Sequence, residues 1–194
     1  MKPVCIILAA GASSRFGGDK LAEKVEGKSL LRRAAEAVPK EWFEKVILVS
    51  SRPEGAELAA DFGVVLVPNP KSEEGVSRSV RLGLEQAGIC SGALFMVADQ
   101  PLLRRESVER LTAEFLRHPE QIVCAAHEGE RGNPCIFPSA LFSELLALTG
   151  DKGGSAVIGN HPELVRLVEV EAAELADVDT PFQLAAIAKW NTPE

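Results

Sequence analysis

Thirteen residues close to the N-terminus, LAAGASSRFGGDK at positions 8–20, place glycines and two cations directly after an apolar run. Glycines let backbone amide groups approach a ligand closely. Arg15 offers a planar fork for bidentate contact with phosphate oxygens, and Lys20 offers a mobile point charge. The stretch predicts a loop that binds a triphosphate and its departing pyrophosphate. The alternative is a surface turn with two solvated cations, but the position at the end of a predicted first strand favours the ligand site.

Two familiar phosphate-binding motifs are absent from this stretch. A Walker A loop requires a lysine directly after its second glycine and then Ser or Thr, whereas Gly17 is followed by GDKL. The dinucleotide pattern GxGxxG also fails, because Gly11 is followed by AS. The loop therefore belongs to another class of nucleotide or phosphate site.

Carboxylates follow two further extended segments. Asp99, in MVADQP, comes just after a predicted buried strand, where open α/β sheets collect their ligands. Spacing alone allows two roles for it, a cap for the following helix or a ligand of Mg²⁺, which proteins usually hold by one or two carboxylates plus substrate phosphates. The segment ADVDTP offers Asp177 and Asp179, which we expect to face opposite ways, so that only one points into the site.

These motifs carry a resemblance to a known family. The stretch at 8–20 resembles LAAGxSxRxGxxK, a signature of the nucleotidyltransferases that include the molybdenum cofactor cytidylyltransferases; related enzymes make CDP-methylerythritol and nucleotide sugars. ADQP, DVDTP and a GxSxS segment within EEGVSRSVRLGL match the family in the same order along the chain. One departure is that DVDTP usually continues with Glu-Asp, whereas Phe182 and Gln183 stand here, and we expect them to be helix residues without a catalytic role.

The resemblance implies transfer of CMP from CTP, or of another nucleotide, with Mg²⁺ as cofactor. Arg15, Lys20 and Asp99 would be catalytic, and Asp99 with Asp179 would hold the metal, with Asp177 in reserve. Ala10 favours cytidine, because guanylyl-transferring relatives tend to have LAGG here. Ser77 and Ser79 would contact the base, although one of them is also explained as a helix cap or an ordinary helical serine. The expected nucleotide-binding residues are Leu8, Ala9, Ala10, Gly11, Ser13, Arg15, Lys20, Ser77, Ser79 and Asp99.

Two glycine-containing segments are candidates for the acceptor, RGNP at 131–134 and GDKGG at 150–154. Each is equally compatible with a purely structural role, which is a hairpin turn for the first segment and a helix C-cap for the second. The resemblance implies a molybdopterin-type phosphate acceptor, with a molybdoenzyme or its chaperone as a further partner. The family usually has GDxGAR in the second segment, whereas Gly154 and Ser155 replace Ala-Arg here, so a phosphate-gripping arginine is missing. The expected acceptor-binding residues are Gly132, Asn133, Pro134, Asp151, Lys152 and Gly153.

Other functions remain open at this point. The same chemistry could use a sugar phosphate or a polyol phosphate, or could transfer a guanylyl group from GTP. The chain could instead be a non-catalytic maturation protein that binds nucleotide and pterin. A nucleotide-sugar glycosyltransferase is disfavoured, because the DxD sequence at 177–179 lies near the C-terminus and the first loop would then have no triphosphate to hold.

Composition excludes several classes of partner. The chain of 194 residues carries 21 basic and 28 acidic side chains, a net charge of −7, which does not attract nucleic acid or acidic membranes. The apolar run at 4–10 is too short to span a bilayer, and we expect a cytoplasmic protein. The four cysteines, which lack CxxC spacing, are expected to be buried and reduced; they are Cys5, Cys90, Cys124 and Cys135.

Strand-like and helix-like segments alternate along most of the chain. Strands are predicted at 3–9, 45–50, 64–67, 93–97 and 122–126, and helices at 29–38, 54–62, 76–87 and 107–117. Beyond residue 128 we predict a short segment at 132–137, a helix at 139–148, a strand at 164–170 and a last helix capped by Thr180 and Gln183. This alternation indicates an α/β fold, a Rossmann-like three-layer sandwich with a mainly parallel, mixed sheet. We expect one domain over 1–194, with a nucleotide-binding half at 1–105 and an acceptor-binding half at 106–194.

Overall fold

Seven strands form one mixed central sheet in the computed structural model, which describes residues 1–11 and 16–190. Its inner strands are almost continuously apolar because helices cover both faces. The described strands are β1 (Val4–Leu8), β2 (Lys24–Val25), β3 (Lys28–Ser29), β4 (Val46–Val49), β5 (Val65–Val67), β6 (Gly92–Val97), β7 (Ile122–His127), β8 (Glu130–Pro138) and β9 (Val165–Glu169). The sheet has the order β5-β4-β1-β6-β8-β7-β9, and β2 pairs with β3 in a separate hairpin.

Helices pack on both faces of this sheet and complete a three-layer sandwich. The described helices are α1 (Leu30–Glu36), α2 (Pro53–Phe62), α3 (Val76–Glu85), α4 (Arg105–Arg117), α5 (Phe142–Leu146), α6 (Gly154–Asn160) and α7 (Pro181–Trp190). The side chains of α1, α2, α4 and α7 contribute to one hydrophobic cluster, and those of α3, α5 and α6 contribute to the other. The predicted fold class is confirmed. No helix in the described ranges is long and apolar enough to cross a bilayer.

The direction of the chain reverses beside β1, and this reversal creates the site. From β1 the chain continues through the parallel strands β4 and β5 on one side, and α3 then carries it back to β6 on the other side. The carboxyl ends of β1 and β6 therefore lie side by side, with Leu8 paired to Val97. In open α/β sheets this kind of switch point leaves a crevice in which ligands bind.

The chain after β7 differs from the prediction in three places. The segment expected at 132–137 is part of the nine-residue strand β8, which runs antiparallel between β6 and β7. The helix expected at 139–148 is a 3-10 turn followed by the five-residue α5. The glycines at 153–154 begin α6, a helix that sequence reasoning missed because glycine is a poor helix former.

Two other expectations hold. The last helix begins at Pro181 as predicted, and the Thr180 hydroxyl accepts a hydrogen bond from the backbone N–H of Gln183 at 3.3 Å. The four cysteines are free and buried. Burial raises the pKa of the Cys5 thiol, which keeps this core thiol protonated.

Candidate active site

The ammonium group of Lys20 lies between two carboxylates that are distant in the sequence. Its Nζ is 2.7 Å from Oδ2 of Asp99 and 3.1 Å from Oδ1 of Asp179. The Lys20 side chain is 10% exposed, and the two carboxylates are 25% and 34% exposed. The predicted convergence of the first loop with both acidic segments is thus present in the structure.

Three pieces of irregular chain bring these side chains together at the carboxyl ends of β1 and β6. Lys20 begins a 3-10 turn after the first loop, and Asp99 follows β6 directly. The backbone N–H of Val178 donates to the carbonyl oxygen of Asp99 at 2.9 Å, which ties the C-terminal segment to the end of β6. Gln183 accepts a hydrogen bond from the backbone N–H of Asp179 at 2.9 Å, so it is a positioning residue that the sequence prediction did not recognise.

Asp177 faces the same cluster as Asp179, which corrects the expectation that the two point opposite ways. Residues two apart on an extended chain lie on one side, and the intervening Val178 is fully buried. Burial raises the pKa of the Asp177 carboxyl, and the negative charge of Asp99 raises it further. A hydrogen bond with Gln100 acts in the opposite direction. Among the described residues, the site therefore contains three acidic side chains and one ammonium group.

The donor atoms of this cluster fit a hard divalent cation. Oδ1 of Asp99 is buried and has no hydrogen-bond partner among the described residues, so it is available for another ligand. Carboxylate oxygens are the ligands that Mg²⁺ and Mn²⁺ prefer. In the described part of the chain, no group of three or more His, Cys, Asp and Glu side chains forms a metal centre by itself. A cation here would take its remaining ligands from substrate phosphates and water, as Mg²⁺ commonly does.

A cleft of about 440 Å³ adjoins the cluster. It is lined by Leu8, Ala9, Ala10, Gly11, Lys20, Ser79 and Asp99 from the predicted nucleotide-binding set, and also by Ser72, Glu73, Gly75, Val76 and Asp151. Ser13 and Arg15, two further members of the predicted set, lie outside the described residues. The structure thus brings both ends of the first loop to the cleft.

Arg52 holds the end of β1 in place, and sequence reasoning missed it. Its guanidinium donates to the carbonyl oxygens of Ala9 and Gly11, and its Nε lies 2.6 Å from Oδ1 of Asp19. One side chain therefore clamps both ends of the glycine-rich loop. The available signal was its position just after β4, because polar residues that follow parallel strands gather at the carboxyl edge of the sheet.

Ser79 and Ser77 have different roles although both are buried in α3. The Ser79 hydroxyl lines the cleft and accepts a hydrogen bond from Nδ2 of Asn69 at 2.9 Å. Because this bond occupies an acceptor site of the hydroxyl, its proton is available to a ligand. Ser77 does not line the cleft, but its backbone N–H donates to the carbonyl oxygen of Gly150 at 3.1 Å. Asn69, which follows β5, is a second residue that sequence reasoning missed.

The two predicted acceptor segments separate into two neighbouring places. Gly132, Asn133 and Gly153 line a cavity of about 270 Å³ beside the cleft. Asp151 lines the cleft of about 440 Å³ that adjoins Asp99. Pro134 and Lys152 line neither space.

The predicted acceptor segment at 150–154 packs closely against Gly75, which directly precedes α3. A Cβ built on Gly75 would lie 2.3 Å from the carbonyl carbon of Gly150, and its φ of +95° is one that glycine adopts without strain. The loop at 150–153 therefore packs directly on the N-terminus of α3, next to the cleft that adjoins Asp99.

Comparison with known proteins assigns the chain to a family. Residues 5–165 match the model of the MobA-like NTP transferase domain. The chain belongs to this family. It is a nucleotidyltransferase, and such enzymes typically use divalent metal ions.

This MobA-like NTP transferase has relatives with several activities. It is 28% identical over 190 residues to the purine catabolism protein PucB of Bacillus subtilis, a match that covers 91% of each chain. It is 34% identical over 115 residues to "Probable molybdenum cofactor guanylyltransferase" of Thermococcus kodakarensis, covering 56% of this chain and 52% of that one. Its fold matches the crystal structure of Rv0371c in complex with manganese from Mycobacterium tuberculosis, with a TM-score of 0.80, 23% identity and coverage of 97% and 99%.

Proposed function

We propose that this MobA-like NTP transferase transfers CMP from CTP to the phosphate of molybdopterin or its molybdenum-containing form, with Mg²⁺ as cofactor. An oxygen of the acceptor phosphate forms a bond to the α-phosphorus of CTP, and the bond from that phosphorus to the pyrophosphate oxygen breaks. The observation that carries the proposal is the convergence of Lys20, Asp99 and Asp179 beside a cleft lined by the first loop.

Asp99 and Asp179 are the residues that would hold Mg²⁺, and Asp177 is the reserve ligand. When bound, Mg²⁺ would neutralise part of the negative charge that the phosphate oxygens carry in the transition state. The buried oxygen of Asp99 without a partner supports this assignment.

Lys20 supplies a positive charge for the triphosphate and for the departing pyrophosphate. In the structure its ammonium group is paired with two carboxylates, and we propose that it exchanges these contacts for contacts with phosphate oxygens, together with Arg15. The attacking phosphate is already an anion, so the chain needs no general base. Catalysis would then depend on positioning and preorganised charge.

Two residues that line the cleft are the grounds on which we propose a pyrimidine nucleotide. Ala10 lines it and is 8% exposed, so its methyl group occupies space beside the proposed base position that a glycine would leave open. The Ser79 hydroxyl, held by Asn69, offers a hydrogen-bond donor to the base.

The acceptor is proposed to enter the cavity lined by Gly132, Asn133 and Gly153. The name of the Thermococcus relative supports a molybdenum-cofactor acceptor, and a molybdoenzyme or its chaperone is the proposed recipient of the product. We propose one domain with a nucleotide-binding half at 1–105 and an acceptor-binding half at 106–194. Residues of each half also line the space assigned to the other half. Asp151 lines the cleft, and Phe95 lines the cavity.

The test is pyrophosphate release from each of the four ribonucleoside triphosphates in the presence of Mg²⁺ and molybdopterin. We expect turnover with CTP, reduced by a factor of about 10² or more in Asp99→Asn. Asp61→Asn, which removes an exposed carboxylate on α2, is the matched control and should keep full activity. Preference for GTP would assign guanylyl transfer. If CTP raised the melting temperature but no acceptor led to pyrophosphate release, the protein would be a non-catalytic carrier and the proposal would fail.

A further inference from the structure

The cavity beside the nucleotide cleft has a predominantly apolar wall. Phe95 of β6 and Phe137 of β8 meet edge to face, with ring centroids 5.9 Å apart. Helices α3, α5 and α6 close the cavity over these rings through Val80, Leu145 and Ile158. A carbon skeleton or ring fits against these apolar side chains, because a polar group placed on them would lose its hydration without gaining hydrogen bonds. Asn133 and Ser155 supply polar groups elsewhere in the lining.

Among the described residues, Arg131 is the basic side chain that lines this cavity. It lines the space at the exposed end of β8, next to Asn133, and it has no ion-pair partner among the described residues. In a chain with a net charge of −7, an uncompensated guanidinium at the edge of an apolar cavity favours an anionic ligand group. Lys152, expected from sequence to contact the acceptor, does not line the cavity.

Arg131 and Lys20 line two different spaces, the cavity and the cleft. Arg131 lines the cavity and not the nucleotide cleft, whereas Lys20 lines the cleft and not the cavity. The two spaces share three apolar residues as a common wall, Leu8, Val76 and Val97. A molecule that extends from one cation to the other must therefore cross an apolar strip.

We infer that the acceptor carries an anionic group at each of its two ends, with an apolar or ring-containing portion between them. This inference rests on the proposed function, since one anionic end is the phosphate that attacks CTP near Asp99. The second anionic group is bound by Arg131, and the body packs on Phe95 and Phe137. Arg131 is thus a specificity-determining residue for the acceptor.

The test uses three phosphate monoesters as probes, in the presence of Mg²⁺ and a non-hydrolysable CTP analogue. para-Carboxyphenyl phosphate has both charges and a ring, para-carbamoylphenyl phosphate has the same shape with one charge removed, and glycerol phosphate has no apolar body. Calorimetry should show that the carboxylated ester binds about tenfold more tightly than its amide, because it adds a charge-assisted contact with Arg131. Glycerol phosphate should bind most weakly of the three.

Arg131→Gln should reduce the preference for the carboxylated ester to less than about twofold, whereas Arg131→Lys should keep part of it. Arg117→Gln is the matched control, because this exposed arginine lies on α4, on the other face of the sheet. Equal binding of the two aryl esters, or a preference that survives in Arg131→Gln, would overturn the inference.

Pyrophosphate release distinguishes failure of this inference from failure of the proposed function. If molybdopterin supports release of pyrophosphate but the charge preference is absent, the enzyme assignment stands and the acceptor inference is wrong. If the preference depends on Arg131 but no acceptor leads to release of pyrophosphate, the cavity binds such anions and the assignment of nucleotidyl transfer to this site is wrong.

Discussion

Replacing Lys20 by methionine removes the ammonium group between Asp99 and Asp179 while keeping a side chain of similar length. Removing one member of a fully buried ion pair costs about 3–5 kcal/mol, and an exposed pair contributes about 0–1 kcal/mol. Lys20 is 10% exposed, but the carboxylates are 25% and 34% exposed, so solvent screens part of the repulsion that remains. We therefore expect Lys20→Met to lower the free energy of unfolding by about 1–3 kcal/mol. For a protein of this size each kcal/mol lowers the melting temperature by about 2–4 °C.

A divalent cation should compensate for this loss. In Lys20→Met the ammonium group no longer lies between the two carboxylates, so Mn²⁺ can bind there without displacing the lysine. A ligand at one hundred times its dissociation constant stabilises the folded state by about 2.7 kcal/mol. Thermal unfolding in EDTA and along a Mn²⁺ titration should thus show a larger metal-dependent rise for Lys20→Met than for the parent protein. Turnover should fall by a factor of about 10²–10³, because the charge on the departing pyrophosphate is no longer neutralised.

Lys28→Met is the matched control, since Lys28 pairs with Glu36 at the surface and is 51% exposed. Its free energy of unfolding should change by less than about 1 kcal/mol, with no altered response to Mn²⁺. The reasoning is refuted if Lys20→Met melts at the parental temperature in EDTA, or if its response to Mn²⁺ equals that of the parent protein.

Three further substitutions test other parts of the site. Asp179→Asn should reduce turnover by a factor of about 10² or more while Asp177→Asn keeps most of it, and steady-state kinetics showing the reverse order would make Asp177 the metal ligand. Gly75→Ala should lower stability by about 2–4 kcal/mol in urea unfolding, because a Cβ at φ +95° would meet the backbone of Gly150, whereas Gly159→Ala, which has open space, should not destabilise. Arg52→Gln should weaken binding of CTP by about tenfold in calorimetry, since the carbonyl oxygens at the end of β1 lose their donor, and unchanged affinity would contradict a positioning role.

Local patterns in the sequence predicted most of the strands and helices before residue 128, although not the hairpin of β2 and β3. Buried strands such as VCIIL and VILV are continuous apolar runs, and their alternation with amphipathic segments indicated the parallel sheet. The later half was predicted less well because its elements depend on partners that are distant in the sequence. Strand β8 lies between β6 and β7, and α6 begins at two glycines that are held by packing on Phe137 and Val76 rather than by helix propensity.

The sequence by itself determined which groups are available: a glycine-rich loop with Lys20, a carboxylate after the fourth strand of the parallel sheet, and an acidic pair near the C-terminus. Only the tertiary structure decided which of them meet. It placed Lys20 between Asp99 and Asp179 and showed Arg52 as the clamp of the first loop. The physical reason is that the two contacts of Lys20 span 79 and 159 residues and those of Arg52 span 33 to 43, and no local pattern encodes the distance between side chains that the sheet topology brings together.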